Sequence, residues 1–174
     1  MSRFLKYLTE MKILSYDSVQ KKRKGFYYFE VNDKQYIVKI SDSTNFGEDN
    51  IPFYEVVFTI NGGERESINR PLDKKAKYLI LNKMITALVR LVNEDSPDNF
   101  YFHTKDENLM MTYIGLFDKF KSELKNYHLE VRYLFNDMYF FFSNNIKSIE
   151  NIRNEYPKNI TENNNKTKFN WKNV

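Results

Sequence analysis

The residues able to do chemistry are few. There are two histidines, His103 and His128, and no cysteine. Disulfides, thiolate zinc sites and cysteine nucleophiles are therefore excluded. A metal site would need both histidines and a carboxylate, and their positions match no ligand spacing. Neither histidine has a neighbouring Ser or Asp in a pattern that marks acyl-transfer chemistry. Asn61-Gly62-Gly63 has the glycines of a phosphate cradle, but no strand-to-helix step with GK[ST] follows, so it reads as a turn. The expectation is a protein with no catalytic residue, no cofactor and no metal, and not an enzyme.

Binding chemistry is better represented, and it sits at the ends. Lys21, Lys22, Arg23 and Lys24 are four adjacent cations. Such a run is ordinarily a solvated loop, and in a nucleic-acid-binding protein it contacts phosphate. Residues 1–24 hold seven Lys/Arg against two acids, and residues 157–174 hold four lysines against one glutamate. A whole-chain charge of +4 then leaves the middle at −4. A nucleic-acid-binding fold normally carries its basic face on the folded body. Nucleic-acid binding here is therefore expected to be weak and nonspecific.

Residues 2–12 have helical amphipathic spacing. Phe4, Leu5, Leu8 and Met11 share a side, with Arg3, Lys6 and Glu10 opposite. They read either as a helix docked on the body or as a targeting segment on a polar, basic spacer reaching Lys24. Phe169 and Trp171 interrupt an Asn- and Lys-rich tail. They are candidate anchors, to the body or to a partner. No apolar run reaches the length of a membrane span, so no membrane partner is expected. MSRFLKYLTE lacks the apolar stretch of a signal peptide, and the absence of cysteine fits an intracellular protein.

Residues 74–93, KKAKYLILNKMITALVRLVN, must organise the rest. Ala76, Leu79, Ile80, Met84, Ala87, Leu88 and Leu91 recur at i, i+3, i+4. Tyr78, Leu81, Ile85, Val89 and Val92 widen that face, leaving a polar stripe of Asn82, Lys83, Thr86, Arg90 and Asn93. Asp73 is the expected N-cap, and Asp95-Ser96-Pro97 the expected stop. Strands are predicted over Phe26–Val31 and Gln35–Ser41, turning at Asn32-Asp33, and over Phe53–Ile60 after a polar loop at 44–52.

Beyond the helix come a short strand at Phe100–His103 and a capping box at Thr104-Lys105-Asp106-Glu107, which opens a helix running to about Lys125. Tyr127–Phe135 alternates, with Tyr127, Leu129, Val131, Tyr133 and Phe135 on an apolar face and His128, Glu130 and Arg132 on a polar one. Asn136-Asp137 is the expected turn into Met138–Ser143. Phe140, Phe141 and Phe142 make that strand interior. Residues 144–155 read as a last helix.

The order βββαβαββα predicts an α+β fold: one mostly antiparallel sheet with two main helices on one face. The expected domains are 1–24 (amphipathic helix and basic linker), 25–156 (a single α+β domain) and 157–174 (a flexible tail).

The stretch 26–143 resembles small accessory proteins of tailed bacteriophages. The residues that carry the resemblance are FYYFEVNDKQYIVKI, FYEVVFTI, LILNKMITALVRLV and SPDNFYFHTKDENLMMTYIGLFDKF. Pro97-Asp98-Asn99-Phe100-Tyr101-Phe102 fits the group's strand motif, whereas Met110 and Met111 stand where the following helix would carry an Arg ahead of Tyr113. The resemblance implies a fold, and it brings no activity with it. Leu8-Thr9-Glu10 is similar to the triplet cut by the maturation proteases of some large tailed phages. The implied function is a non-enzymatic phage accessory protein that binds another protein, of phage or host. It would be virion-associated or would interfere with a host system, in the host cytoplasm or the virion. The alternative is a nucleic-acid-binding module using the basic termini. The oligomeric state stays open.

Overall fold

The computed structural model describes residues 10–60 and 73–156, with the backbone alone over 107–112. Its elements are β1 (Gln20–Arg23), β2 (Phe26–Val31), β3 (Lys34–Phe46), β4 (Ile51–Ile60), α1 (Lys74–Asp95), β5 (Asn99–Thr104), α2 (Glu107–Phe120), β6 (His128–Leu134), β7 (Asp137–Ser143) and α3 (Ile146–Glu155). A single 3-10 turn, Tyr16–Ser18, precedes β1. The strands hydrogen-bond in the order β1-β2-β3-β4-β5-β7-β6. The pairings β1/β2, β2/β3, β5/β7 and β6/β7 are antiparallel. The class is α+β, as the sequence implies, but the element order gains a strand at its start.

That strand is the basic run. Lys21, Lys22 and Arg23 do not form the expected loop; they lie in β1, with Lys21 opposite Tyr27 and Arg23 opposite Phe26. Aromatic rings make this possible. Lys21 Nζ stands 5.4 Å from the centre of the Tyr27 ring, and Lys22 and Arg23 stand over Phe26. Ring faces attract cations, and an edge strand tolerates charge.

The chain forms two compact units, 1–42 with 54–97 and 43–53 with 98–174. In the first, α1 packs on β2. Ile80, Leu88, Val89 and Leu91 are buried, as are Tyr27 and Phe29 of β2. Asp73 caps α1 by accepting the Ala76 N–H at 2.8 Å. Ser96 ends it at φ 45°, its N–H donating to the Val92 carbonyl.

The polar stripe of α1 is covered as well. Asn82 Oδ1 accepts the Lys12 N–H at 3.0 Å, and Thr86 Oγ1 accepts the Leu14 N–H at 2.8 Å. Arg90 donates to the carbonyls of Tyr16 and Val19, and Asn93 to the Tyr16 hydroxyl. Met11 and Val19 are buried. Residues 11–19 are therefore not a loose spacer but a strap, read through its backbone by one helix stripe.

In the second unit, β5, β7 and β6 form an antiparallel ladder. Phe140, Phe141 and Phe142 of β7 are all fully buried. Successive side chains point to opposite faces, so both faces need cover. Phe102, Phe140 and Phe142 pack with Tyr113 and Phe117 of α2, and Phe100 stacks on Phe142. Tyr101 and Phe141 cluster with Phe46, Phe53, and Ile149 and Ile152 of α3. The helices α2 and α3 thus take opposite faces of this ladder; with α1 the described residues hold three helices, where the sequence predicts two main ones on one face.

Several boundaries move. The polar loop at 44–52 shrinks to a turn at 47–50, closed by the Asn50 N–H on the Gly47 carbonyl. Helix α2 stops at Phe120 and gives way to i→i+3 turns that still bury Leu124. Thr104 Oγ1 accepts from the N–H of Asp106.

Candidate protein interaction site

The β6–β7 hairpin pairs Leu134 with Asp137, so its turn is Phe135-Asn136, one residue earlier than expected. Both turn residues have positive φ, 51° and 65°. Two such residues make the turn whose twist matches a hairpin, and Asn, Asp and Gly are its usual occupants. The β2–β3 turn obeys this with Asn32 and Asp33 at 50° and 60°. Phe135 does not. A bulky side chain at positive φ is an outlier, and this one is 78% exposed. Tyr133, the last but one residue of β6, is 58% exposed.

Behind the turn stands a stack of rings. Phe135 meets Tyr139 edge-on at 6.3 Å. Tyr139 lies flat against His103 at 4.8 Å and Tyr101 at 5.6 Å, and Phe141 continues the row at 5.8 Å. The register produces this: His103 faces Tyr139 across the β5–β7 ladder, and Tyr101 faces Phe141. His103 Nδ1 lies 2.6 Å from Asp137 Oδ2. An ionised carboxylate only accepts, so it draws the proton to Nδ1 and orients the ring. The Asp137 side chain is 8% exposed, and Lys105 Nζ stands 3.9 Å from Oδ1.

The middle of β6 is braced by charge, with Arg132 opposite Tyr139 and Glu130 opposite Phe141. Glu130 and Arg132 are buried, against the polar-face expectation. Glu130 accepts from Arg132 and from Arg153 of α3, and Arg132 donates to the carbonyls of Tyr156 and Val131. A buried charge persists only when paired; here each ion has its counterpart.

The two histidines do not come together. His103 is level with Tyr139 and His128 with Ser143, at separate points along β7. Among the described residues no group of three or more His, Asp or Glu side chains is placed to hold a metal. No described helix is long and apolar enough to cross a membrane.

Of the residues singled out by sequence, Phe4, Leu5, Leu8, Phe169 and Trp171 lie outside the described residues. Glu10 is exposed and lines a shallow depression with Lys74, Lys75 and Tyr78. Lys22, Arg23 and Lys24 are exposed. Lys21 is committed elsewhere: its ammonium holds Asp95 at 2.7 Å and Glu94 at 3.2 Å, and those bonds, Asp95 first, raise its pKa. Burial raises the Tyr27 hydroxyl to about 12. Arg90, and then Lys21, hold Glu94 below the usual carboxylate range.

Sequence reasoning placed Phe135 on an apolar strand face and missed the site. The available signal was the turn itself, because Phe-Asn supplies only one residue suited to positive φ. Neither a scan against protein-family models nor a search of curated proteins finds a match.

Proposed function

We propose that this protein acts without catalysis, by binding another protein through the tip of the β6–β7 hairpin. One observation carries this reading: Phe135 is 78% exposed at a φ of 51°. Such a conformation costs about 1–2 kcal/mol for a residue with a side chain, and Asn bears it better than Phe. The ring gains little burial in return. Strain of this kind, kept where it does not help folding, marks a functional surface. Exposed aromatics are also the usual anchors of protein interfaces. The resemblance to tailed-phage accessory proteins supplies the setting, the virion or the host cytoplasm. The nucleic-acid alternative draws on Lys22, Arg23 and Lys24, and has less support because Lys21 already serves Asp95 and Glu94.

The test is Phe135→Asn. Asn suits the turn, so thermal stability should hold or rise. Capture of a specific partner from phage-infected cells should fall at least tenfold, the loss expected of an aromatic anchor. Undiminished capture by a folded Phe135→Asn protein would remove the hairpin from the interface.

A further inference from the structure

We propose that the hairpin tip receives an arginine side chain of the partner. This rests on the hairpin reading and adds its chemistry. The first observation is Asp137. Its side chain is 8% exposed, its Oδ2 is bound to His103, and its Oδ1 takes no hydrogen bond among the described residues. A buried carboxylate oxygen without a donor is costly and is normally satisfied.

The second observation is what approaches that oxygen. Lys105 Nζ lies 3.9 Å away, beyond hydrogen-bond reach, on a side chain that is 78% exposed. A largely exposed cation thus stands beside Oδ1 without bonding to it, and another cation can displace it. The third is the aromatic wall. The backbone alternation sets Asp137 on the face of Tyr139, and Phe135 closes on Tyr139 edge-on at 6.3 Å. Aromatic faces beside a carboxylate are the surroundings a cation seeks.

Arginine fits better than lysine. Its guanidinium is planar, stacks on rings while donating in its own plane, and sheds water more readily than an ammonium. Lys105 already offers an ammonium and leaves Oδ1 without a bond. Charge complementarity agrees, since the cation that the described residues bring to Oδ1 is an exposed lysine at 3.9 Å.

The experiment is an NMR titration of the full chain with a capped Gly-Arg-Gly peptide and with the same peptide carrying citrulline, which keeps the shape and loses the charge. The expected result is saturating shifts of the Phe135 and Tyr139 ring protons with arginine, at least tenfold weaker with citrulline. Asp137→Asn should abolish that selectivity. Because Asp137→Asn also disturbs the His103 pair, Lys105→Met gives an independent measure: it removes the competing cation and should tighten arginine binding severalfold. Equal response to the two peptides, or no saturating shift in either the wild type or Lys105→Met, would overturn the proposal. The two readings fail separately. Loss of partner capture in Phe135→Asn without arginine selectivity keeps the interface and rejects the arginine.

Discussion

Lys21 Nζ lies 2.7 Å from Asp95 Oδ1, tying the first strand to the last residue of α1. The other oxygen of Asp95 accepts the Gly25 N–H at 2.7 Å and the Tyr27 hydroxyl at 2.9 Å. Burial alone pushes the Asp95 carboxyl up, but Lys21, the Gly25 N–H and Tyr27 together outweigh it and hold the group below its ordinary value.

A depressed carboxyl stabilises the fold above the unfolded-state value of about 3.9, and that stabilisation drains away as pH falls through the folded value. Asp95→Asn should therefore cost about 1.5–3 kcal/mol at neutral pH, the range for hydrogen bonds to a charged group. The gap to wild type should narrow steadily below about pH 4. Urea midpoints measured across that range check it; a gap independent of pH would mean the charge of Asp95 contributes nothing.

Leu88→Ala should cost about 2–5 kcal/mol, as deletion of a buried leucine does. Leu88 is 2% exposed in the middle of α1. An unchanged denaturation midpoint would show that α1 does not organise its unit.

The strap makes a local prediction. Thr86→Val removes the acceptor of the Leu14 N–H, and should release it at a cost of about 1–3 kcal/mol. Amide exchange should then speed up at Leu14 and Lys12 before it does in α1. Deleting residues 1–10 leaves that track whole and should shift the melting temperature by no more than about 4 °C. If residues 1–10 are an address, the same deletion should abolish recruitment to the particle or partner. Faster exchange throughout α1 in Thr86→Val would show that the strap and helix are one cooperative unit.

Nucleic-acid binding, if measured, should rest on Lys22, Arg23 and Lys24 and show a log–log salt slope of about −3, the value for three phosphate contacts on a duplex. Neutralising Lys21 should lower stability more than affinity, because its ammonium is bound to Asp95 and Glu94. Tight, sequence-selective binding that survives loss of all four cations would favour the nucleic-acid alternative.

The sequence by itself determined what near neighbours along the chain decide. Helix α1 follows from its apolar spacing, with Asp73 and Ser96 at its ends, because both effects act within one or two turns. The Asn32-Asp33 turn follows from two residues that tolerate positive φ. The interior place of β7 follows from three consecutive phenylalanines. Only the tertiary structure decided the fate of the charges. Glu130 and Arg132 alternate with apolar residues, so the local pattern assigns them to water; Arg153 and the Tyr156 carbonyl, more than twenty residues on, make their burial tolerable. Lys21 joins a strand because Asp95 waits 74 residues away. His103 meets Asp137 across 34 residues through the β5–β7 register. Burying a charge costs more than local propensity supplies, so its place depends on whether the fold brings a counter-ion or donor to it, and Lys21, Glu130 and His103 each have such a partner more than twenty residues away.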